Sequence, residues 1–192
     1  MGGPAGGPVE GAAVGAAGTP VGGRLALLNG PNLNLLGTRE PHLYGTTTLA
    51  EIEDSCRTEA AAFGLELVAF QSNHEGALID TVHGLRHEAA GIVVNPGGYA
   101  HTSVALADAL AACELPVVEV HLTNVYRREA FRHHSFVSAV AVAVICGCGP
   151  DGYTMAVAHL ARLVGRRGRR GSPLPAEPIP AAPGTLHRAP GR

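Results

Sequence analysis

Five short runs rich in Val, Leu and Ile recur through the middle of this chain, at residues 25–28, 65–70, 92–94, 117–122 and 139–146. The stretches between them repeat apolar residues at helical spacing. Residues 47–63 carry Leu49, Ile52, Cys56, Ala60 and Phe63, and residues 75–90 carry Leu78, Ile79, Val82 and Leu85. Residues 102–113 carry Val104, Ala107 and Leu110, and residues 151–164 carry Val157, Leu160 and Leu163. A strand that is apolar at every position needs cover on both faces, and a helix with one apolar stripe supplies it. Alternation of the two dictates a parallel sheet between two helical layers, joined by right-handed crossovers.

The expected fold is therefore an α/β three-layer sandwich around a five-stranded parallel sheet, with the flavodoxin-like strand order 2-1-3-4-5. The folded unit is expected over residues 24–164. Residues 1–23 are almost entirely Gly, Ala, Pro and Val with one charge, Glu10, and residues 165–192 are rich in Pro, Gly and Arg. Neither has enough apolar side chain to offset the entropy of ordering, so both are expected to be disordered extensions. Arg166, Arg167, Arg169 and Arg170 read as a solvated cluster in the second.

A formal net charge of -2, 4% aromatic residues and no Trp argue against nucleic acid as a partner. No apolar run is long enough to cross a membrane, and no basic stretch leads into a bulky apolar one as in a secretory signal. Cys56 and Cys113 fall on apolar helical positions, and Cys146-x-Cys148 is not a zinc-knuckle spacing. This usage fits a reducing, cytoplasmic setting without a metal.

In a sheet of this order, ligands sit beyond the carboxyl ends of the strands, at the switch point between strands 1 and 3. After strand 1 comes LNGPNLNLLGTREPHLYG (28–45), whose Pro, Gly and Asn deny it a regular helix. It is much longer than an ordinary connection and carries Arg39, His42 and Tyr44, so it reads as an active-site rim with a lid. Strand 2 ends in Gln71, Ser72, Asn73, His74 and Glu75, and strand 3 leads into NPGGYAHTS (95–103). Strand 4 carries Glu119 and His121 on one face, so the carboxylate can accept the ring N–H and fix the imidazole tautomer. Beyond it come Thr123, Asn124, Tyr126, Arg127, Arg128 and Arg132.

This inventory contains no G-x-S-x-G elbow, P-loop or H-E-x-x-H. GCGPDG (147–152) matches G-x-G-x-x-G, but it belongs to the last unit, Pro150 removes a donor, and no acidic residue follows at the needed distance. His133 and His134 lack further metal ligands at suitable spacing and read as a surface pair. What remains suits a hydroxylated, anionic small molecule and proton transfer. A flavin- or nucleotide-binding module on the same fold is the alternative.

LNGPNLNLLGTREPHLYG, QSNHEG, NPGGYAHTSVALADA and EVHLTNVYRREAFRHHS, in this order, resemble the signature segments of the type II 3-dehydroquinate dehydratases. The likeness covers about residues 25–163. It implies a cofactor-free elimination of water from 3-dehydroquinate to 3-dehydroshikimate in the shikimate pathway. It also implies assembly as a homo-dodecamer of four trimers. Carried over by motif, Tyr44 matches the base, Arg39 the essential lid arginine, and Asn32 the holder of a water on the enolate. His121 matches the general acid, Glu119 its partner, and Arg128 an arginine near the base. Asn95, His101, Leu122, Thr123 and Arg132 match substrate-binding positions. Asp108 matches a residue that reaches in from a neighbouring subunit. Thr123 stands where many relatives have Ser and keeps the hydroxyl.

Overall fold

The computed structural model describes residues 23–38 and 45–170, with side chains described through Arg166. The extension over residues 1–22, the tail over 171–192 and the lid residues Arg39, His42 and Tyr44 lie outside the described residues.

Five strands, β1 (Arg24–Asn29), β2 (Glu66–Gln71), β3 (Gly91–Asn95), β4 (Val117–His121) and β5 (Ala143–Cys146), form one parallel sheet in the order β2-β1-β3-β4-β5, as the apolar pattern predicts. Four helices cover it: α1 (Leu49–Ala62), α2 (Glu75–Leu85), α3 (Val104–Ala112) and α4 (Asp151–Arg170). Leu25, Leu27, Val93, Val118 and Val120 face α1 and α4, where Ile52, Cys56, Val157 and Leu160 close one core. Ala26, Leu28, Ile92, Val94 and Val117 face α2 and α3, meeting Leu78, Val82, Leu106 and Leu110 in the other. Alternate residues of each strand thus supply opposite cores. Cys56 sits fully buried in the first, and burial, with Glu53 adding to it, pushes its thiol up to about 12. It acts as a small hydrophobe there.

Local chemistry sets the helix ends. Thr48 and Glu51 form a capping box at the start of α1: the Glu51 N–H donates to Thr48 Oγ1, and the Thr48 N–H donates to Glu51 Oε2. At its other end Gly64 takes φ 70°, and the Gly64 and Leu65 N–H groups return to Ala61 and Ala60. That pattern is a Schellman cap, and Gly is the residue that takes this backbone without strain. Ser103 Oγ caps α3 by accepting the Leu106 N–H at 2.8 Å.

Three boundaries differ from the sequence reading. The fifth strand begins at Ala143 rather than 139, because residues 137–139 form a short turn that buries Val137 completely. The second helix ends at Leu85, since the chain must descend to place the Ala90 N–H on Arg24 O. The last helix runs on to Arg170, past the apolar stripe that ends at residue 164.

The loops after β1 and β3 are locked together where a ligand would approach. The Gly30 N–H donates to Asn95 O at 2.8 Å, and a Cβ on Gly30 would stand 2.3 Å from Pro96 O. Gly30→Ala must therefore push the two backbones apart. A cost of about 1–3 kcal/mol is expected, read as a lower urea midpoint. Turnover should fall as well, because both loops carry site residues.

Candidate active site

An open cleft of about 790 Å³ lies at the carboxyl ends of β1, β3 and β4. Its walls bring together eight residues singled out from sequence: Asn32, Asn95, His101, His121, Leu122, Thr123, Arg128 and Arg132. They come from four separate stretches of chain, and the strand order is what makes them meet.

Asn32 closes the β1 end in a left-handed conformation, φ 66°, which Asn tolerates better than most side-chain-bearing residues. Its N–H donates to Asn73 Oδ1 at 2.8 Å. Asn73 is fixed in turn, its Oδ1 by Gln71 Nε2 and its backbone O by the Tyr99 hydroxyl. The β2 loop therefore braces the rim rather than lining the cleft. Asn95 is held from behind: its Nδ2 donates to Tyr153 Oη at 2.7 Å and its Oδ1 accepts the Gly97 N–H. Tyr153 is completely buried and donates to Asn29 Oδ1 at 3.1 Å. Burial drives its phenol far above the ordinary range, so it remains a fixed donor.

His121 and Glu119 are paired as their spacing on β4 predicts. His121 Nε2 lies 2.8 Å from Glu119 Oε1. A carboxylate only accepts, so Nε2 carries the proton and Nδ1 is the atom left for chemistry in the cleft. Glu119 is wholly buried and also accepts the hydroxyls of Ser135, at 2.7 Å, and Ser138. Burial by itself would raise its carboxyl, but the hydrogen bonds from His121, Ser138 and Ser135 outweigh it and hold the group below the usual carboxylate range.

A depressed carboxyl stabilises the fold fully above its unfolded value, about 4.3, and loses that contribution as pH falls through the lower folded value. Wild type should therefore exceed Glu119→Gln in urea stability near pH 7, and the gap should narrow below about pH 4. A gap independent of pH would contradict an ionised Glu119.

His101 runs nearly parallel to His121, with ring centroids 6.4 Å apart and 12° between planes. Its Nδ1 donates to His134 O at 2.7 Å, which leaves Nε2 as the acceptor. Burial lowers its pKa first, and His121 and Arg132 push the same way against the opposing His134 hydrogen bond and Glu119. That direction favours the neutral ring. Arg132 donates to Glu129 Oε2 at 2.8 Å and lies over the Phe131 ring, while Arg128 Nε is 3.6 Å from the same carboxylate. The exposed Glu129 thus steadies both guanidinium groups, an orienting role more than a stabilising one.

Asp108 stands on the exposed face of α3, outside the cleft lining. His133 and His134 are engaged elsewhere, by Arg128 O and the Phe136 ring respectively. Among the described residues no three His, Cys, Asp or Glu side chains group to hold a metal. The glycine run after β5 has a local purpose: the N–H groups of Gly147 and Gly149 donate to His121 O and Leu122 O. It pins the end of β4, and a Cβ on Gly147 would press on Asn124. Sequence reasoning missed Tyr153, Ser135 and Ser138. Tyr153 reads as one more apolar helix position, and the serines lie in a segment with no period.

Residues 23–161 match the family described as Dehydroquinase class II. A Pseudomonas putida protein called 3-dehydroquinate dehydratase 2 is 59% identical over 143 residues, 74% of this chain and 96% of that one. An Aspergillus flavus protein called catabolic 3-dehydroquinase 2 is 57% identical over 147 residues, 76% of this chain and 98% of that one. The crystal structure of type II dehydroquinase from Propionibacterium acnes superposes with a TM-score of 0.71 at 37% identity, covering 74% of this chain and 98% of that one. With the fold, the paired imidazoles and these likenesses in agreement, the chain belongs to the class II dehydroquinases and is a hydro-lyase.

Proposed function

We propose that this enzyme removes water from 3-dehydroquinate to give 3-dehydroshikimate, by a stepwise elimination through an enolate and without a cofactor. The observation that carries the reading is His121, its ring N–H fixed on buried Glu119, beside Asn32, Thr123 and two arginines in one cleft. In this reading Tyr44, assisted by Arg39 and Arg128, takes the hydrogen beside the ring ketone. A water held by Asn32 stabilises the enolate oxygen. His121 gives its proton to the leaving hydroxyl as the C–O bond breaks, and the proton on Tyr44 returns to the site through solvent. Asn95, His101, Arg132, the Leu122 backbone and the Thr123 hydroxyl hold the hydroxyls and carboxylate of the substrate.

Asp108, exposed on α3, suits a contribution to a neighbouring subunit's cleft. The proposed assembly is accordingly a homo-oligomer, a dodecamer of four trimers. All four cysteines are free thiols, in keeping with a cytoplasmic setting. No helix among the described residues is long and apolar enough to cross a membrane. Aromatic biosynthesis through the shikimate pathway is the proposed use. The name of the fungal relative assigns that protein to catabolism. The chemistry at the site would be the same for both.

The product is a conjugated enone and absorbs in the near ultraviolet, unlike the parent ketone. Mixing the protein with 3-dehydroquinate should raise that absorbance catalytically. A protein inert to it that purifies with bound flavin or nucleotide would be the cofactor module instead. The loop after β1 speaks against that alternative, since Gly30 and Pro31 are packed on Pro96 and Gly97 where a phosphate would need backbone N–H groups.

A further inference from the structure

One short stretch, His134 to Ser138, touches the orienting partners of both imidazoles. Its His134 O accepts from His101, while its two serine hydroxyls donate to the carboxylate that accepts from His121. The stretch is anchored by the Phe136 N–H on Ala100 O at 2.9 Å, and by the Ser138 N–H on Ser135 Oγ at 3.2 Å. That second bond closes a small turn that presents the two hydroxyls side by side.

We propose that Ser135 and Ser138 are positioning residues for the general acid: together they keep Glu119 an anion in one orientation, so that the proton stays on His121. This rests on the dehydration reading above. Glu119 has no exposed surface, and among the described residues the cation paired with it is His121 in its acid form. Across the sheet it is in register with Val94 of β3 and Val144 of β5, which offer it nothing polar from their side chains. Among the described residues, the charged and titratable groups on this side are His121, His101 beyond it, Arg128 and Arg132 on the cleft wall, and Tyr126, His133, His134 and Cys146 around the hollow that Ser135 and Ser138 line. An isolated buried carboxylate favours its neutral form, and would take the Nε2 proton whenever His121 is the imidazolium, leaving two neutral groups. Two hydroxyl donors remove that tendency. Without them the imidazolium loses its counter-charge, and the neutral ring is free to change tautomer.

The test compares Ser138→Ala, the double variant Ser135→Ala with Ser138→Ala, and Ser138→Thr, which keeps the hydroxyl. Turnover is followed as enone absorbance across pH, and ¹⁵N-labelled histidine spectra report the His121 tautomer without substrate. Expected are a kcat lower by about tenfold in the single variant and about a hundredfold in the double, with KM within about twofold. The alkaline limb of kcat should move down by about one pH unit, Ser138→Thr should restore most of the activity, and the double variant should lose the fixed tautomer. Wild-type kcat and limb in the alanine variants would overturn the proposal. So would a loss of kcat that merely follows a loss of thermal stability and that Ser138→Thr does not repair. A wild type inactive on 3-dehydroquinate would refute the dehydration reading instead, and the histidine spectra would still decide what the serines do.

Discussion

His121→Ala is expected to lower kcat by about three orders of magnitude while leaving the fold intact. A general acid in the transition state contributes roughly 10²–10⁴. Here the loss should reach at least the middle of that range, because the leaving group is a hydroxyl, which departs poorly without a proton. The ring stands at the carboxyl end of β4, and its removal opens no hole in either apolar core. It does leave Glu119 buried without its imidazole partner, though Oε1 still accepts from Ser135 and Oε2 from Ser138. That costs some stability, so circular dichroism and urea midpoints should accompany the rates. His121→Ala should show a modest fall in midpoint and an enone rate reduced far beyond it. A near-normal rate would remove His121 from the chemistry.

Tyr44→Phe should be at least as severe. The variant keeps the ring and deletes only the oxygen proposed to take hydrogen from carbon. An ordinary phenol titrates near 10, so about 0.1% is ionised at pH 7. Bringing it to half ionisation requires about 3 pH units, or about 4 kcal/mol. One guanidinium at about 4 Å supplies roughly that amount at an effective dielectric of 20. Arg128 lines the cleft, and Arg39 belongs to the same loop as Tyr44. Substrate closing that loop over the cleft and excluding water would give the pair its full effect. Tyr44→Phe should therefore lose about 10³-fold or more in kcat with KM little changed, measured by enone absorbance. A variant that kept most of its activity would make Tyr44 a rim residue only.

The reach of the sequence followed the strength of its periods. Five apolar runs and four helical stripes pointed to the layers and the strand order, because a strand that is apolar at every position must be covered on both faces. The face shared by Glu119 and His121 was legible for the same reason, since strand alternation is strict. The fifth strand was misjudged at its start because Val140 and Ala141 continue an apolar run that the backbone spends on a turn. The supporting shell was not legible. Ser135, Ser138 and Tyr153 act over 16, 19 and 58 residues of separation, on Glu119, Glu119 and Asn95 respectively. Nothing in a linear pattern marks such partners. The glycines after β5 were legible as a motif but not in purpose, which is to fasten the end of the strand that bears His121.

Division of labour between a base that makes the enolate and an acid that expels water is tested by exchange in D₂O. With His121→Ala, the hydrogen beside the ketone should disappear from the proton spectrum of recovered 3-dehydroquinate faster than in buffer, while enone barely accumulates. Tyr44→Phe should show neither exchange nor enone. Loss of exchange in step with loss of enone in the His121 variant would contradict the account, because the imidazole would then be needed before the enolate exists.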